Sequence, residues 1–157
     1  MLSITIIRMG SIKEPGLQSI EKELLKRIGL FAKFEIKELK PVRFKNTADR
    51  ERVFLEEAKQ IRSAWRKDSV KIILSEHGKT TSSVQFSESL TKWSENGQQH
   101  LTFVIGSALG IDRTLMNEAD HTLSLSPMTF PHEYVSIMLL EQLYRASTIL
   151  AGKTYHY

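Results

Sequence analysis

The chain has 157 residues, of which 41% are hydrophobic and 25% charged, and it contains no cysteine. This composition is that of an ordinary globular protein and excludes intrinsic disorder, and the lack of thiols excludes disulfides, zinc ribbons and cysteine nucleophiles. The formal net charge is +4, but residues 1–67 carry a net of +7 and residues 68–157 a net of −3. This asymmetry indicates either a first half that binds a polyanion or helices whose alternating charges face solvent.

The chain has no predicted membrane segment. No apolar run reaches the roughly 18–20 residues of a membrane span; the closest, residues 134–140, is interrupted by Ser136 and followed by Glu141. The opening stretch is interrupted by Arg8 and Gly10 too early for a signal peptide. We therefore expect a soluble, cytoplasmic protein with no membrane partner, folded as a single domain over residues 1–157.

Strand-like and helix-like stretches alternate from the start of the chain. A β-branched stretch closed by Gly10 predicts a strand, and apolar residues at helical spacing follow Pro15. A basic loop then leads to a helix that Asn46 or Thr47 can cap. The predicted elements are a strand at 2–9, a helix at 15–28, a strand at 33–39, a loop at 41–46 and a helix from 47 to about 65.

The second half repeats the alternation with shorter connections. Ser82 and Gln85 form a capping-box pattern, and Gly152 is placed to end the last helix. The predicted elements are a strand at 70–74, a helix from 82 to about 95, a strand at 100–106, a short helix at 112–118, a strand at 121–126 and a helix from about 133 to 150. Strands that are each followed by a helix predict an α/β fold with a mainly parallel sheet of five to six strands and helices on both faces.

Three strand ends have unusual sequences. They are LSEHGKTTS (74–82), GSALG (106–110) and SPMTFPH (126–132). Because ligands of parallel sheets bind beyond the carboxyl ends of the strands, we expect a binding site where these segments converge. GSALG lacks the spacing of a dinucleotide or phosphate loop, so alone it indicates a tight turn or a backbone that a ligand can approach at Gly106. Glu76 and His77 are sequence neighbours without a second cluster, which favours a polar turn over a metal site.

The last loop and helix contain the remaining candidates. Met128 and Phe130 lie between two prolines in a loop, so the core, a partner chain or a ligand must cover them. His132, near the helix start, suits contact with an anion or a structural role. Arg145 needs an anionic partner, which Glu141 in the same helix or a bound phosphate can supply. The helix is apolar almost all round, which predicts burial on two sides and hence a homodimer.

The segments FVIGSALGID, LSLSPMTFPHE, LLEQLYRA and the terminal YHY resemble the RlmH family across essentially the whole chain. This is a family of ribosomal RNA methyltransferases of the SPOUT superfamily. The resemblance implies a C-terminal trefoil knot, which general topology rules would exclude. It also implies S-adenosylmethionine as cofactor, a homodimer, no metal, and methylation at N3 of a pseudouridine in 23S, or large-subunit, ribosomal RNA of the ribosome.

The resemblance also implies where the functional residues lie. The cofactor would contact Leu74, Gly106, Leu125, Ser126, Pro127, Met128, Thr129 and Phe130. Methyl transfer from a sulfonium chiefly needs alignment and exclusion of water, while loss of the N3 proton requires a base or electrostatic assistance. Candidates for that assistance are His132, Arg145 and His156. The basic first half would supply phosphate contacts through Arg43, Lys45, Arg50 and Arg52.

The sequence departs from the family pattern at Ser107, where members commonly have a second glycine, at Ser75, where they often have an acid, and at Thr154, where proline is frequent. Two other readings stay open. One is a non-catalytic RNA-binding or ribosome-binding protein with the same fold. The other is a flavodoxin-like domain, which would need a phosphate loop or an acidic phosphoacceptor pocket after the first strand; RMGSIKEPG provides neither.

Overall fold

Five strands and five α-helices alternate along residues 1–95 and 99–155, which the computed structural model describes. The strands are β1 (Ser3–Met9), β2 (Lys33–Leu39), β3 (Val70–Thr80), β4 (His100–Ile105) and β5 (His121–Ser124). The helices are α1 (Pro15–Ile28), α2 (Arg50–Ala64), α3 (Ser83–Ser94), α4 (Arg113–Glu118) and α5 (His132–Leu150), and a 3-10 turn at Thr47–Asp49 precedes α2. The strands form one parallel sheet in the order β2-β1-β4-β3-β5. The predicted α/β class is confirmed, and the trefoil knot stays a prediction.

Alternate residues of the strands face two cores on opposite sides of the sheet. In β1, Ile4 and Ile6 pack into the core formed with α1, α3 and α5, whereas Ile7 and Met9 pack into the core formed with α2 and α4. This two-residue period is what a strand buried on both faces requires. The helices therefore cover both faces of the sheet, as the alternation in the sequence predicts.

Two predicted N-terminal caps and the predicted glycine after the last helix are present in the structure. Ser82 accepts the backbone N–H of Gln85, whose side chain accepts the N–H of Ser82, so that the capping box is confirmed. The Asn46 side chain accepts the N–H of Ala48 and begins the turn that leads into α2. Gly152 adopts a φ of 63° just after α5.

β3 is longer than predicted. The predicted strand ends at residue 74, but β3 continues to Thr80, with Leu74 and Lys79 both opposite Leu123 of β5. The intervening residues bulge out, and Gly78 then packs against the neighbouring backbone: a Cβ there would lie 2.7 Å from the carbonyl carbon of Leu123. The prediction that the strand ends at residue 74 and a polar turn follows is therefore wrong, because pairing with β5 outweighs the polar composition of this segment. β5 itself ends at Ser124 rather than at residue 126.

α5 lies between α1 and α3 on one face of the sheet. Its buried leucines share a core with residues of both neighbouring helices. Much of the apolar circumference of α5 is therefore covered by its own chain, which weakens the reasoning that led from this helix to a homodimer. Tyr134 and Leu150 nevertheless remain 53% exposed. Although α5 is the longest helix of the described residues, neither it nor any other described helix combines the length and apolarity needed to cross a bilayer.

His100 lies at the amino end of β4, where its Nε2 is 2.9 Å from the hydroxyl oxygen of Thr5. Burial lowers the pKa of His100 below the ordinary histidine value, and the positive charge of Arg66 acts in the same direction. The unfolded chain thus binds a proton more readily than the folded protein. The resulting stability is fully present above the unfolded pKa of about 6.5 and is lost as the pH falls through the folded value.

We expect the free energy of unfolding to decrease between pH 7 and pH 5, and to decrease less in His100→Gln, which keeps a partner for Thr5. Urea titrations at each pH measure both slopes. The difference between the two proteins isolates His100 from the carboxyl groups that titrate at lower pH. Parallel slopes for the two proteins would show that His100 does not contribute.

Candidate active site

A cleft of about 680 Å³ opens at the carboxyl ends of β4 and β5, beside residues 74–76, where the pairing of β3 with β5 is interrupted. The structure brings together there the first three residues of the segment 74–82, all of GSALG, and most of the segment 126–132. Its lining consists of Arg50, Leu74, Ser75, Glu76, Ile105, Gly106, Ser107, Ala108, Leu109, Gly110, Ile111, Leu125, Ser126, Met128, Thr129, Phe130, Pro131, His132 and Val135. This is the position at which parallel α/β sheets bind ligands.

The segment after β4 is a tight turn with little room at Gly106. A Cβ at this position would lie 2.5 Å from Cγ1 of Ile111 and 2.8 Å from the carbonyl oxygen of Gly110. The turn is closed by a hydrogen bond of 2.9 Å from the N–H of Gly110 to the carbonyl of Ser107, and Gly110 has a φ of 93°. The interpretation of GSALG as a tight turn is confirmed, and Gly106 lines the cleft. That a ligand approaches the backbone at Gly106 stays a prediction.

Ser107 is anchored by a buried acid. Its hydroxyl donates to Oε2 of Glu57 at 2.7 Å, while Oε1 of Glu57 accepts the backbone N–H of Val42 at 3.0 Å. Glu57 is 3% exposed, so this carboxyl group depends on these partners for hydrogen bonding. The departure from the family pattern at Ser107 thus gives the turn an additional contact with α2.

The loop between β5 and α5 leaves its apolar residues uncovered. Met128 is 71% exposed and Phe130 is 42% exposed, and Thr129 beside them is exposed as well. The hydroxyl of Ser126 accepts the N–H of Met128 at 3.0 Å, which fixes the turn, and Pro127 lies outside the cleft lining. Within the described chain the core does not cover these residues, so the alternatives of a ligand or a partner chain remain.

His132 is the first residue of α5 and lines the cleft. Its Nε2 is buried and has no hydrogen-bond partner among the described residues. That nitrogen lies against Gly10, where a Cβ would be 3.1 Å away and where φ is 102°. The glycine that closes β1 therefore makes room for the imidazole of His132.

Arg145 lies outside the cleft lining and is paired within the chain. Its Nη2 donates to Glu141 at 2.7 Å, and its guanidinium lies 5.0 Å from the ring centre of Tyr155. The phenol of Tyr155 donates to the same carboxylate at 3.2 Å. Of the alternatives for Arg145, the structure shows the salt bridge within the helix. His156 lies outside the described residues.

The predicted RNA-contacting cations are all exposed, but only Arg50 lines the cleft. Arg52 pairs with Glu56 at 3.2 Å and donates to the backbone carbonyl of Arg43 at 3.1 Å. Phe44, between the predicted residues Arg43 and Lys45, is 40% exposed. Sequence reasoning omitted Phe44, although an aromatic residue between two cations is a signal for nucleic-acid binding.

Few ionisable side chains line the cleft. They are Arg50, Glu76 and His132, and most of the remaining lining is apolar or backbone. Such a site suits a ligand with a large apolar or aromatic surface and a small number of polar anchors. Over residues 1–95 and 99–155, no three or more His, Asp or Glu side chains cluster so as to hold a metal ion.

A family model described as "Predicted SPOUT methyltransferase" matches residues 2–156. The chain belongs to the SPOUT methyltransferase family. Three relatives of this SPOUT methyltransferase carry the name "Ribosomal RNA large subunit methyltransferase H". They come from Acetivibrio thermocellus (37% identical), Ruminiclostridium cellulolyticum (35%) and Bifidobacterium adolescentis (34%), and each alignment covers 99% of both chains.

Family membership gives the cleft its chemical context. A SPOUT methyltransferase needs a site for a methyl donor, and this cleft is formed by the three strand-end segments on which the resemblance is densest. The residues that sequence reasoning omitted are mostly neighbours of predicted ones, such as Ser75, Ile111 and Val135. Their closeness in sequence to predicted residues could have indicated that they line the cleft. Arg50 of α2 was predicted only as an RNA contact, not as part of the cleft lining.

Proposed function

We propose that this chain transfers a methyl group from S-adenosylmethionine to N3 of a pseudouridine in large-subunit ribosomal RNA, in the cytoplasm. One observation carries the proposal: a largely apolar cleft with exposed Met128 and Phe130, at the strand ends of a SPOUT methyltransferase. The names of the relatives support ribosomal RNA as the substrate class.

The cleft residues fit the proposed cofactor. Leu74, Leu125, Met128 and Phe130 offer apolar surface for an adenine ring and a thioether, and Thr129, Ser126 and the backbone at Gly106 offer polar contacts. When bound, the cofactor would supply a methyl group on a sulfonium, whose thioether leaves without protonation. The task of the chain is then to align the acceptor and exclude water.

The acceptor nitrogen must lose its proton. His132 is the candidate within the cleft lining, since its imidazole is the basic side chain nearest to the apolar loop in sequence. Arg145 and His156 are the other two candidates for this assistance, and neither belongs to the described lining of the cleft. Arg145 would act from outside the lining and would have to exchange its partner Glu141 for a substrate phosphate or the cofactor carboxylate.

The basic segment before α2 is the proposed RNA-binding surface. Arg43, Lys45, Arg50 and Arg52 are exposed and close in sequence, and Arg50 extends this surface to the cleft. Cations of this kind contact phosphates and contribute affinity without sequence preference. The exposed ring of Phe44 is suited to stacking on an unpaired base.

We also propose that the protein is a homodimer. A second cavity of about 470 Å³ lies along α5, lined in part by Phe86, Leu125, Ile137 and Met138. Together with the exposed ring of Tyr134 it gives this face an apolar character that a second copy could cover. Sedimentation equilibrium, which returns one or two chain masses, tests this assignment.

Transfer of a labelled methyl group tests the function. We expect the labelled methyl group of S-adenosylmethionine to be incorporated into ribosomes or isolated large subunits. Mapping of the modified base then identifies the nucleotide that carries it. Gly106→Val is the matched negative control, because its side chain would enter the space now occupied by Ile111 and the Gly110 carbonyl. Binding of RNA without methyl incorporation would instead support the non-catalytic reading, and the absence of cofactor binding by calorimetry would refute the proposed chemistry.

A further inference from the structure

The loop that carries the proposed RNA contacts is held by side chains of α2 and the turn before it. Gln60 donates to the carbonyl of Lys40 at 3.1 Å, Arg52 donates to the carbonyl of Arg43 at 3.1 Å, and Asp49 accepts the N–H of Lys45 at 3.1 Å. Glu57 accepts the N–H of Val42 at 3.0 Å. The backbone of residues 40–45 is thus fixed at four points.

Glu57 alone among these four side chains also contacts the cleft turn in the described structure. Its second oxygen accepts the hydroxyl of Ser107, which lines the cleft. The carboxyl group is 3% exposed, so water cannot readily replace either donor if one of them moves away. A displacement of the turn after β4 is therefore transmitted to the basic loop through a single side chain.

We propose that Glu57 is a positioning residue that couples occupation of the cleft to RNA binding by the loop at residues 40–45. The proposal rests on the proposed function, since it takes the cleft as the cofactor site and the loop as the RNA site. A ligand that fixes Gly106 and Ser107 also fixes the two hydrogen bonds that link Ser107 through Glu57 to Val42. RNA bound to the loop fixes the same two hydrogen bonds through Val42. Such coupling is reciprocal: each ligand must raise affinity for the other by the same factor.

The coupling factor is measured with S-adenosylhomocysteine, the demethylated product, as a non-reacting cofactor probe, and with purified ribosomes as the RNA probe. It is the ratio of the dissociation constants for ribosomes without and with saturating S-adenosylhomocysteine. We expect about fivefold or more in the unsubstituted protein, the lower end of ordinary allosteric coupling. In Ser107→Ala, which removes one link and leaves the loop anchored, the factor should fall toward one.

Two control variants separate coupling from local damage. Ser63→Ala makes the same chemical change on the exposed part of α2, where the Ser63 hydroxyl donates to the carbonyl of Lys59, and should keep the full factor. Gln60→Ala releases the loop at Lys40 without touching the cleft turn. It should weaken ribosome binding equally with and without S-adenosylhomocysteine, so that the ratio is retained.

The outcomes distinguish this inference from the function on which it rests. If the unsubstituted protein binds both probes with a ratio near one, or if Ser107→Ala retains the ratio, the role of Glu57 is wrong while the proposed function stands. A loss of stability in Ser107→Ala at an unchanged ratio would show a purely structural role. If the unsubstituted protein shows no heat with S-adenosylhomocysteine, the proposed function fails, and the coupling with it.

Discussion

The double variant Met128→Ala/Phe130→Ala is expected to bind S-adenosylmethionine about thirtyfold more weakly than the unsubstituted protein, with little change in its free energy of unfolding. The two side chains are 71% and 42% exposed, so they contribute little to the core. If a ligand covers this remaining apolar surface, the contact is worth about 2 kcal/mol, which corresponds to about thirtyfold in the dissociation constant. Isothermal calorimetry gives the affinity and urea denaturation the stability.

A matched control uses exposed aliphatic residues outside the cleft. Leu30 and Val84 are 75% and 43% exposed, and neither lines the cleft. Leu30→Ala/Val84→Ala should leave both affinity and stability close to those of the unsubstituted protein. Equal losses of affinity and stability in the Met128→Ala/Phe130→Ala variant would show that the loop is ordinary core. Unchanged affinity would leave a partner chain as the group that covers it.

Arg8→Met is expected to lower the free energy of unfolding by about 3 kcal/mol. Arg8 is 2% exposed on β1, where it donates to Glu21 of α1 and to its cross-strand neighbour Glu38 of β2. Removing the guanidinium leaves the carboxylates of Glu21 and Glu38 without their positively charged partner. Breaking a buried ion pair in this way costs about 3–5 kcal/mol. The lower figure applies because Glu38 is partly exposed and solvent can hydrate it. Thermal unfolding should shift downward by about 6–12 °C.

The control for Arg8 is an exposed pair of the same type. Arg66 donates to Asp68 at 2.7 Å, and both side chains are mostly exposed. Arg66→Met should cost less than about 1 kcal/mol, as surface pairs do. A similar loss in both variants would mean that Arg8 contributes only as a surface charge would, whereas partial rescue of Arg8→Met by Glu21→Gln would confirm the buried pair.

Periodicity predicted the architecture because each strand carries apolar residues on both faces. The helix starts were equally accessible, since Ser82, Gln85 and Asn46 cap through local hydrogen bonds that the sequence shows directly. The cleft followed from topology: Gly106 and the loop at 125–131 follow strand ends, and Leu74 lies where the predicted third strand ends and where β3 has its register shift. These features depend on short segments and on a general rule of sheet packing.

Long-range contacts account for what the sequence did not predict. The extension of β3 depends on Gly78 meeting the backbone of Leu123, which no local pattern contains. The polar residues of LSEHGKT (74–80) therefore favoured a turn over a strand in the sequence-based prediction. The catalytic and binding roles of the predicted residues stay predictions for a related reason: they depend on groups that approach the cleft from outside the chain.

The burial of two charged residues, Glu57 and Arg8, could have been predicted from their positions in the sequence. Glu57 lies four residues from Val53 and four from Ile61, both of which are buried, so helical phase alone places it on the inner face of α2. Arg8 follows Ile4 and Ile6 at two-residue spacing and therefore points to the same face of the sheet as they do. In both cases the charge of the residue suggested a surface position, whereas its phase indicated burial.

The position of His100 affects how activity measurements on this protein should be interpreted. β4 has six residues, so its amino end and the Gly106 turn lie about 20 Å apart, at opposite edges of the sheet. Near the unfolding temperature, the acid limb of a rate profile will therefore combine protonation of reacting groups with unfolding that depends on a distant histidine. Profiles taken well below the unfolding temperature, where nearly all molecules stay folded at pH 5, would retain only the first contribution.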